Sequence, residues 1–441
     1  MGAGGRIFIN DEDIVVRQLF EGFHTASNLT SRNHQSKPLR MNLQPNPLNS
    51  AARPRIHGLD TLRSIAIVLV FMYHYMCFVS HEATFGWASV TGWVGVDLFF
   101  VLSGYLIGNQ LFAGLASGRA LSLPSFYARR LLRTLPNYYV VLAFYFLFPV
   151  VMGGNSPPAL WRFLTFTQNY QLTPGTAFSH AWSLCIEEQF YLLLPAVVLL
   201  AARFGKSIRL AWMLLGGLML AGVVLRSVLW IKYGRIADGA IGNYYPNVYY
   251  STFCRGDEFL PGVALALLKN FHRDQWERLM RHGQAILVAG LVAAALLAWL
   301  IVNFYFIENY GYGYFMSGFG YSLIALCFGA LVLAALSPAS LLHRVRVPGA
   351  SHLALWSYAI YLSHKPLATI IATQLAPFGI APGSVTAILI ISAAALLVGW
   401  VMYNLVERPF MRLRDRRFPS NFSPRPHSAM ATAYSGNVDH P

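Results

Sequence analysis

The chain has 441 residues, of which 56% are hydrophobic and only 12% are charged. Soluble domains carry about 25% charged residues, so this composition excludes a disordered chain and disfavours a soluble enzyme. The 33 Lys and Arg outnumber the 18 Asp and Glu, giving a net charge of +15, which in a soluble protein would suggest nucleic-acid binding.

Apolar segments of the length that crosses a bilayer, about 20 residues, follow one another along the chain. We predict about ten, near residues 62–80, 92–113, 136–152, 181–202, 210–231, 252–268, 284–307, 314–337, 353–375 and 384–406. Of the 33 basic residues, 26 fall in the two terminal segments and the loops after even-numbered spans, and only three in the opposite loops. Lys and Arg accumulate on the cytoplasmic side. The pattern predicts an all-α, polytopic transmembrane helix bundle with both termini cytoplasmic, and it explains the net charge without nucleic acid.

The segments that flank this bundle differ from it in composition. Residues 1–54 are predicted to be a flexible cytoplasmic tail with a short amphipathic helix at 13–23, and residues 411–441 a basic, Ser- and Pro-rich disordered tail. The charges before the first apolar stretch are acidic, which is wrong for a secretory signal. The cysteines lie in apolar runs without a CxxC pair, so no metal site is expected. The membrane domain is assigned to 55–410.

The first span carries two ionisable residues, Arg63 and His74, eleven positions apart. Eleven residues are close to three helical turns and about 16 Å of rise, so both side chains lie on one face, with Arg63 at the cytoplasmic mouth and His74 deep in the membrane. An arginine there can bind a phosphate, and a buried histidine can act as a general base. A lone histidine in a helix also occurs as a simple packing residue.

Asp97 opens the second span and is predicted to reach the depth of His74 from the opposite side. A carboxylate there could hold the tautomer of the imidazole. The alternative is an ion pair with Arg255 or another buried base.

Arg130 and Arg133, in the loop predicted after the second span, are one turn apart and could clamp phosphates; they could also be ordinary cytoplasmic anchors. At the start of the fourth span, Glu187 and Glu188 are adjacent, so one of them is expected to face the bundle. Ser183 nearby lacks the glycines of a nucleophile elbow. His364 and Lys365 add to the ionisable residues inside spans, which usually mark function.

Seven blocks that contain these residues resemble, in order, the acyltransferase-3 family of integral membrane O-acyltransferases. The blocks are GLDTLRSIAIVLVFMYHY (58–75), GWVGVDLFFVLSGYLI (92–107), FYARRLLRTLP (126–136), HAWSLCIEEQFYLLLP (180–195), STFCRGDEFLPGVALA (251–266), SYAIYLSHKPL (357–367) and YNLVERPF (403–410). The resemblance covers roughly residues 55–410 and leaves out the first 50.

The resemblance implies a bacterial enzyme of the cytoplasmic (inner) membrane, an acyltransferase for groups other than aminoacyl groups. It implies acyl-CoA, usually acetyl-CoA, as the donor, and as acceptor a hydroxyl of an extracytoplasmic glycan, such as O-antigen, exopolysaccharide, peptidoglycan or a lipid-linked sugar. The resemblance implies catalytic roles for Arg63, His74 and Glu187. It also implies that Arg130 and Arg133 correspond to the paired arginines of the family. Some relatives have a C-terminal hydrolase-like domain; only about 30 residues follow the last block here, so single-component transfer or a separate partner is expected.

Two other classes of function remain open at this point. A secondary transporter or flippase of a polysaccharide pathway would share the spans and the buried charges, although no internal repeat supports it. An acyltransferase acting on a small molecule such as a macrolide would share the chemistry and differ in acceptor.

Overall fold

The computed structural model describes residues 55–153, 157–203 and 208–422. In these residues, ten helices of 12 or more residues form most of the structure. They are α1 (His57–Tyr75), α2 (Val94–Ala116), α3 (Leu123–Leu147), α4 (Trp182–Arg203), α5 (Ile208–Tyr233), α6 (Leu260–Phe271), α7 (Gly283–Phe304), α8 (Tyr321–Leu336), α9 (Ala350–Leu375) and α10 (Val385–Met402). Shorter helices are Trp87–Thr91, Leu160–Leu164, Ala240–Tyr244, Thr252–Arg255, Arg273–Arg281, Leu341–Arg344 and Arg408–Arg417. Strands β1 (Phe306–Ile307) and β2 (Gly311–Tyr312) pair antiparallel.

Seven helices in the described residues are long and apolar enough to cross a membrane. Their bounds are His57–Ser80, Val94–Ala116, Ser179–Ala201, Ile208–Tyr233, Gly283–Phe304, Met316–Leu336 and Val385–Arg417. Apolar side chains on them point outwards: Leu220 of α5 is 63% exposed and Val292 of α7 is 65% exposed, as suits helices that face lipid. The chain is therefore a multi-pass membrane protein, and the predicted all-α fold is confirmed.

The three remaining predicted spans overlap α3, α9 and the broken segment Thr252–Phe271, and α3 begins 13 residues before the predicted span 136–152. In that segment a four-residue helix and a 3₁₀ turn precede α6. The count of ten spans and the cytoplasmic termini stay predictions, and the predicted tail 1–54, with its helix at 13–23, lies outside the described residues.

Two sequence boundaries differ from the prediction. Arg130 and Arg133 lie in the first turns of α3 rather than in a separate loop, because Ser122 caps the helix, Pro124 follows it, and the helix continues through Pro136. At the other end, the ordered chain continues past residue 410, with helix Arg408–Arg417 and a bridge between Leu121 and Phe422.

Helices α2 and α6 pack with their backbones almost in contact. A Cβ atom built on Gly104 would lie 2.1 Å from the carbonyl oxygen of Phe259, and one on Gly262 would lie 2.1 Å from that of Val101. Small residues allow this approach in membrane helices. The contact fixes α2, which forms one wall of the site described below.

We expect Gly262→Ala to lower stability by about 1–3 kcal/mol, because its methyl group must push the two backbones apart. Gly217→Ala in α5 is the matched control, since no atom lies within 4 Å of the added methyl group. Thermal unfolding of the two variants in detergent would show the difference. Equal melting temperatures would contradict the packing argument.

Candidate active site

A polar cavity of about 270 Å³ lies between α1, α2, α3, α4 and α9. Its lining includes Arg63, Arg130, Arg133 and Glu187, which come from three different helices. The structure thus brings together four of the six site residues that the sequence selected.

The cavity carries an excess of positive charge. Three guanidinium groups face one lining carboxylate, and in the described parts of the chain no carboxylate lies within ion-pair distance of these arginines. The Nε atoms of Arg63 and Arg130 are buried and lack a hydrogen-bond partner among the described residues. The Arg130 guanidinium lies 3.8 Å from the centre of the Tyr191 ring. Unsatisfied donors and net positive charge suit a phosphate-bearing ligand.

Glu187 faces the cavity inside the bundle, and its carboxylate accepts a hydrogen bond from a residue of its own helix. The Tyr191 hydroxyl donates to Glu187 Oε2 at 3.1 Å and lies 2.9 Å from Ser103 Oγ. Tyr191 is thereby held between the carboxylate and the Arg130 guanidinium, which fixes the shape of the cavity wall.

His74 lies in a cluster of three histidines. Its Nδ1 is 2.7 Å from Nε2 of His364, and the ring of His180 is centred 6.0 Å from His74 and 5.6 Å from His364. His364 and His180 are 1% and 3% exposed, whereas His74 is half-buried. Of the three, His74 is the most exposed.

Pro366 determines how His180 is held. A proline inside a helix has no N–H, so the carbonyl four residues earlier, Leu362, loses its helical donor. His180 Nε2 supplies that donor at 3.2 Å. The His-Lys-Pro sequence of α9 therefore both provides His364 and anchors His180.

The cavity and the histidine cluster share Tyr361. Its hydroxyl lines the cavity side, donates to the backbone carbonyl of His180 and accepts from Ser183 Oγ at 2.6 Å. Because the carbonyl can only accept, the Ser183 hydrogen is committed to Tyr361. This bond gives Ser183 a structural partner and no activating base.

The predicted pairing of Asp97 with His74 is wrong. Asp97 is fully buried and its Oδ1 lies 3.2 Å from Nη2 of Arg255, and Arg255 also pairs with Glu258. This is the alternative that the sequence left open. The His74 Nδ1 position that a carboxylate was expected to occupy is taken by His364.

Sequence reasoning did not assign roles to His180, His364, Tyr191 and Tyr361. The signal for His364 was present, because an ionisable residue inside an apolar helix usually marks function. Its partner was not readable, since 290 residues separate it from His74.

Comparison with known proteins identifies the family of the chain. Residues 56–404 match the family described as an acyltransferase domain. The chain belongs to the acyltransferase-3 family. The resemblance predicted from the seven blocks is confirmed, and an acyltransferase is the enzyme class of that family.

Among curated proteins, the chain is similar to the peptidoglycan O-acetyltransferase OatA of Listeria monocytogenes, with 29% identity over 379 residues. That alignment covers 82% of this chain and 56% of the relative. It is also similar to the putative peptidoglycan O-acetyltransferase YrhL of Bacillus subtilis, with 31% identity over 58% of this chain and 39% of the relative. The chain thus spans about half the length of these relatives, or less. No solved structure matches it.

Proposed function

We propose that this protein is an O-acetyltransferase of the cytoplasmic membrane that moves an acetyl group from cytoplasmic acetyl-CoA to a hydroxyl of an extracytoplasmic glycan. The observation that carries the proposal is the junction of an arginine-lined cavity with a histidine cluster in which His74 alone is accessible. We place about ten spans across the bilayer with both termini in the cytoplasm, following the distribution of Lys and Arg.

The arginine cavity suits the phosphates and arm of the donor. Arg63, Arg130 and Arg133 offer charge-assisted donors for phosphate oxygens. The volume of about 270 Å³ is slightly below the range of ordinary ligand pockets, about 300–1,000 Å³. It therefore accommodates part of acetyl-CoA and leaves the rest in the cytoplasm.

The proposed reaction is direct transfer. His74 Nε2 takes the proton of the acceptor hydroxyl while that oxygen attacks the thioester carbonyl. The tetrahedral intermediate collapses, the C–S bond breaks, and the proton held by His74 passes to the departing thiolate. The products are an O-acetyl ester and CoA-SH. Glu187 is assigned a positioning role, because it holds Tyr191 beside Arg130.

The proposed acceptor is an envelope glycan, with a lipid-linked sugar as one form of it. The support is the similarity to two relatives, both peptidoglycan O-acetyltransferases by name, the second a putative one. The position of His74 also supports an extracytoplasmic acceptor. His74 lies about 16 Å further along α1 than Arg63, so the proposed base lies towards the membrane face opposite the proposed donor entrance.

The test is acetyl transfer in proteoliposomes. Purified full-length protein is reconstituted, labelled acetyl-CoA is supplied on the side of the arginine cavity, and cell-wall glycan on the other. We expect label on the glycan and none on the protein when the acceptor is omitted. Movement of unlabelled glycan without transfer would instead support the transporter alternative.

Removing the donor-side charges should weaken binding of the donor. We expect Arg130→Ala and Arg133→Ala each to raise KM for acetyl-CoA by about 10–100-fold, since a charged hydrogen bond contributes about 1.5–3 kcal/mol. Arg129→Ala is the matched control, because Arg129 pairs with Asp415 at 3.5 Å and does not line the cavity. KM for acetyl-pantetheine, which lacks the nucleotide phosphates, should not change. Unaltered KM values for acetyl-CoA in both variants would contradict the assignment.

A further inference from the structure

The hydrogen bond between two histidines at the centre of the site has a direction that the structure determines. We infer that His364 is a positioning residue that holds His74 in its reactive tautomer; this rests on the proposed role of His74 as the base. The two nitrogens involved are His74 Nδ1 and His364 Nε2, 2.7 Å apart.

The first step concerns His364. Its Nδ1 lies 2.9 Å from the backbone carbonyl of Ile360. A carbonyl oxygen only accepts, so this nitrogen carries the hydrogen. His364 is 1% exposed and has no carboxylate partner in the described residues, and an unpaired buried charge is costly. The ring is therefore neutral, and a neutral imidazole with hydrogen on Nδ1 is an acceptor at Nε2.

The second step concerns His74. Since His364 Nε2 accepts, His74 Nδ1 must donate, and the hydrogen of the neutral His74 ring is on Nδ1. The lone pair of that ring is consequently on Nε2. No described residue makes a hydrogen bond to His74 Nε2, and the ring is half-buried rather than enclosed. The bond thus presents a free basic nitrogen to the substrate.

This chain of donors fixes the orientation and tautomer of the base, which is one of the two roles that a carboxylate performs in acid–histidine pairs. The order is His74 Nδ1–H to His364 Nε2, and His364 Nδ1–H to the Ile360 carbonyl. It introduces no buried charge, so it avoids the desolvation penalty of a carboxylate at this depth. Lys365, beside the cluster, is held by Ser179 Oγ at 3.1 Å, and His180 by the Leu362 carbonyl, so neither competes for His74 Nδ1.

Replacing His364 with glutamine or asparagine tests the acceptor at its Nε2 separately from the donor at its Nδ1. A glutamine side-chain oxygen reaches the place of His Nε2 and can still accept from His74. An asparagine amide reaches only the place of Nδ1 and can still donate to the Ile360 carbonyl. We expect His364→Gln to keep kcat within about threefold of the unmodified enzyme, and His364→Asn to lower it by at least about tenfold, up to the 10²–10⁴ that general-base catalysis contributes. KM for acetyl-CoA should stay within about twofold in both, because the cavity is untouched.

A second measurement keeps the test informative if His364→Asn is recovered poorly. His364→Met fills similar space without an acceptor and should match His364→Asn. In the His74→Ala background, adding His364→Asn should lower kcat no further, since the residue acts only through His74.

The inference is overturned by full kcat in His364→Asn, by an equal loss in the Asn and Gln variants, or by a further loss in the double variant. Those outcomes leave the proposed function standing as long as His74→Ala itself is inactive. An active His74→Ala enzyme would overturn both.

Discussion

Replacing His74 with alanine is expected to lower kcat by about 10²–10⁴-fold, because the proposed mechanism uses its imidazole as the general base for the acceptor hydroxyl. KM for acetyl-CoA should be nearly unchanged, since the arginine cavity is the proposed donor site and His74 does not line it. The measurement is steady-state acetyl transfer by equal amounts of purified protein. A loss of kcat with constant KM is the signature of an interaction made in the transition state.

His352→Ala is the matched control for this variant. His352 is an exposed histidine near the start of α9, where its ring packs on Trp356. Its removal should leave both constants unchanged. Normal turnover by His74→Ala at normal protein levels would contradict the assignment of the base.

The second large effect is expected on stability rather than on turnover. Arg255 is completely buried, pairs with Asp97 and Glu258, and has its guanidinium 4.3 Å from the centre of the Tyr321 ring. We expect Arg255→Met to destabilise the protein by about 3–5 kcal/mol, because it leaves two carboxylates buried without their cation. The measurement is thermal unfolding in detergent, together with the yield of monodisperse protein.

Two further variants test whether the unpaired buried carboxylates cause this loss of stability. Arg273→Met removes an arginine that is 87% exposed and pairs with Glu277 on the surface; no measurable change is expected there. Adding Asp97→Asn and Glu258→Gln to Arg255→Met should recover part of the lost stability, since it removes the unpaired charges. If the triple variant is less stable than Arg255→Met alone, buried charge is not the cause.

Much of the architecture was readable from local pattern. A transmembrane helix makes its backbone hydrogen bonds within one segment of about 20 apolar residues. An apolar run such as Gly283–Phe304 therefore predicts a span from the sequence alone. The spacing of Arg63 and His74 likewise follows from helical geometry alone. Polar helices were harder, because α3 begins among arginines and the bounds of such a helix depend on a cap and a proline rather than on hydropathy.

Partners within the site were not readable in the same way. The sequence offered Asp97 two partners, His74 and Arg255, and depth in the membrane could not distinguish them. Packing did: Gly104 and Gly262 let α2 and α6 approach closely, and Arg255 lies in the segment just before α6, where it meets Asp97. The same long-range packing brings α9 against α1 and places His364 on His74.

The sequence by itself thus determined the membrane-helix class, the family, and the group of ionisable residues in which chemistry is expected, because hydropathy, charge asymmetry and helical spacing are local properties. Only the tertiary structure decided which of those residues form the site and which form the core. It joined Arg63, Arg130, Arg133 and Glu187 around one cavity, assigned Asp97 to Arg255, and placed His364 within hydrogen-bond distance of His74. The physical reason is that each pairing joins side chains from different helices, and the register between helices is determined by their packed surfaces rather than by any one segment.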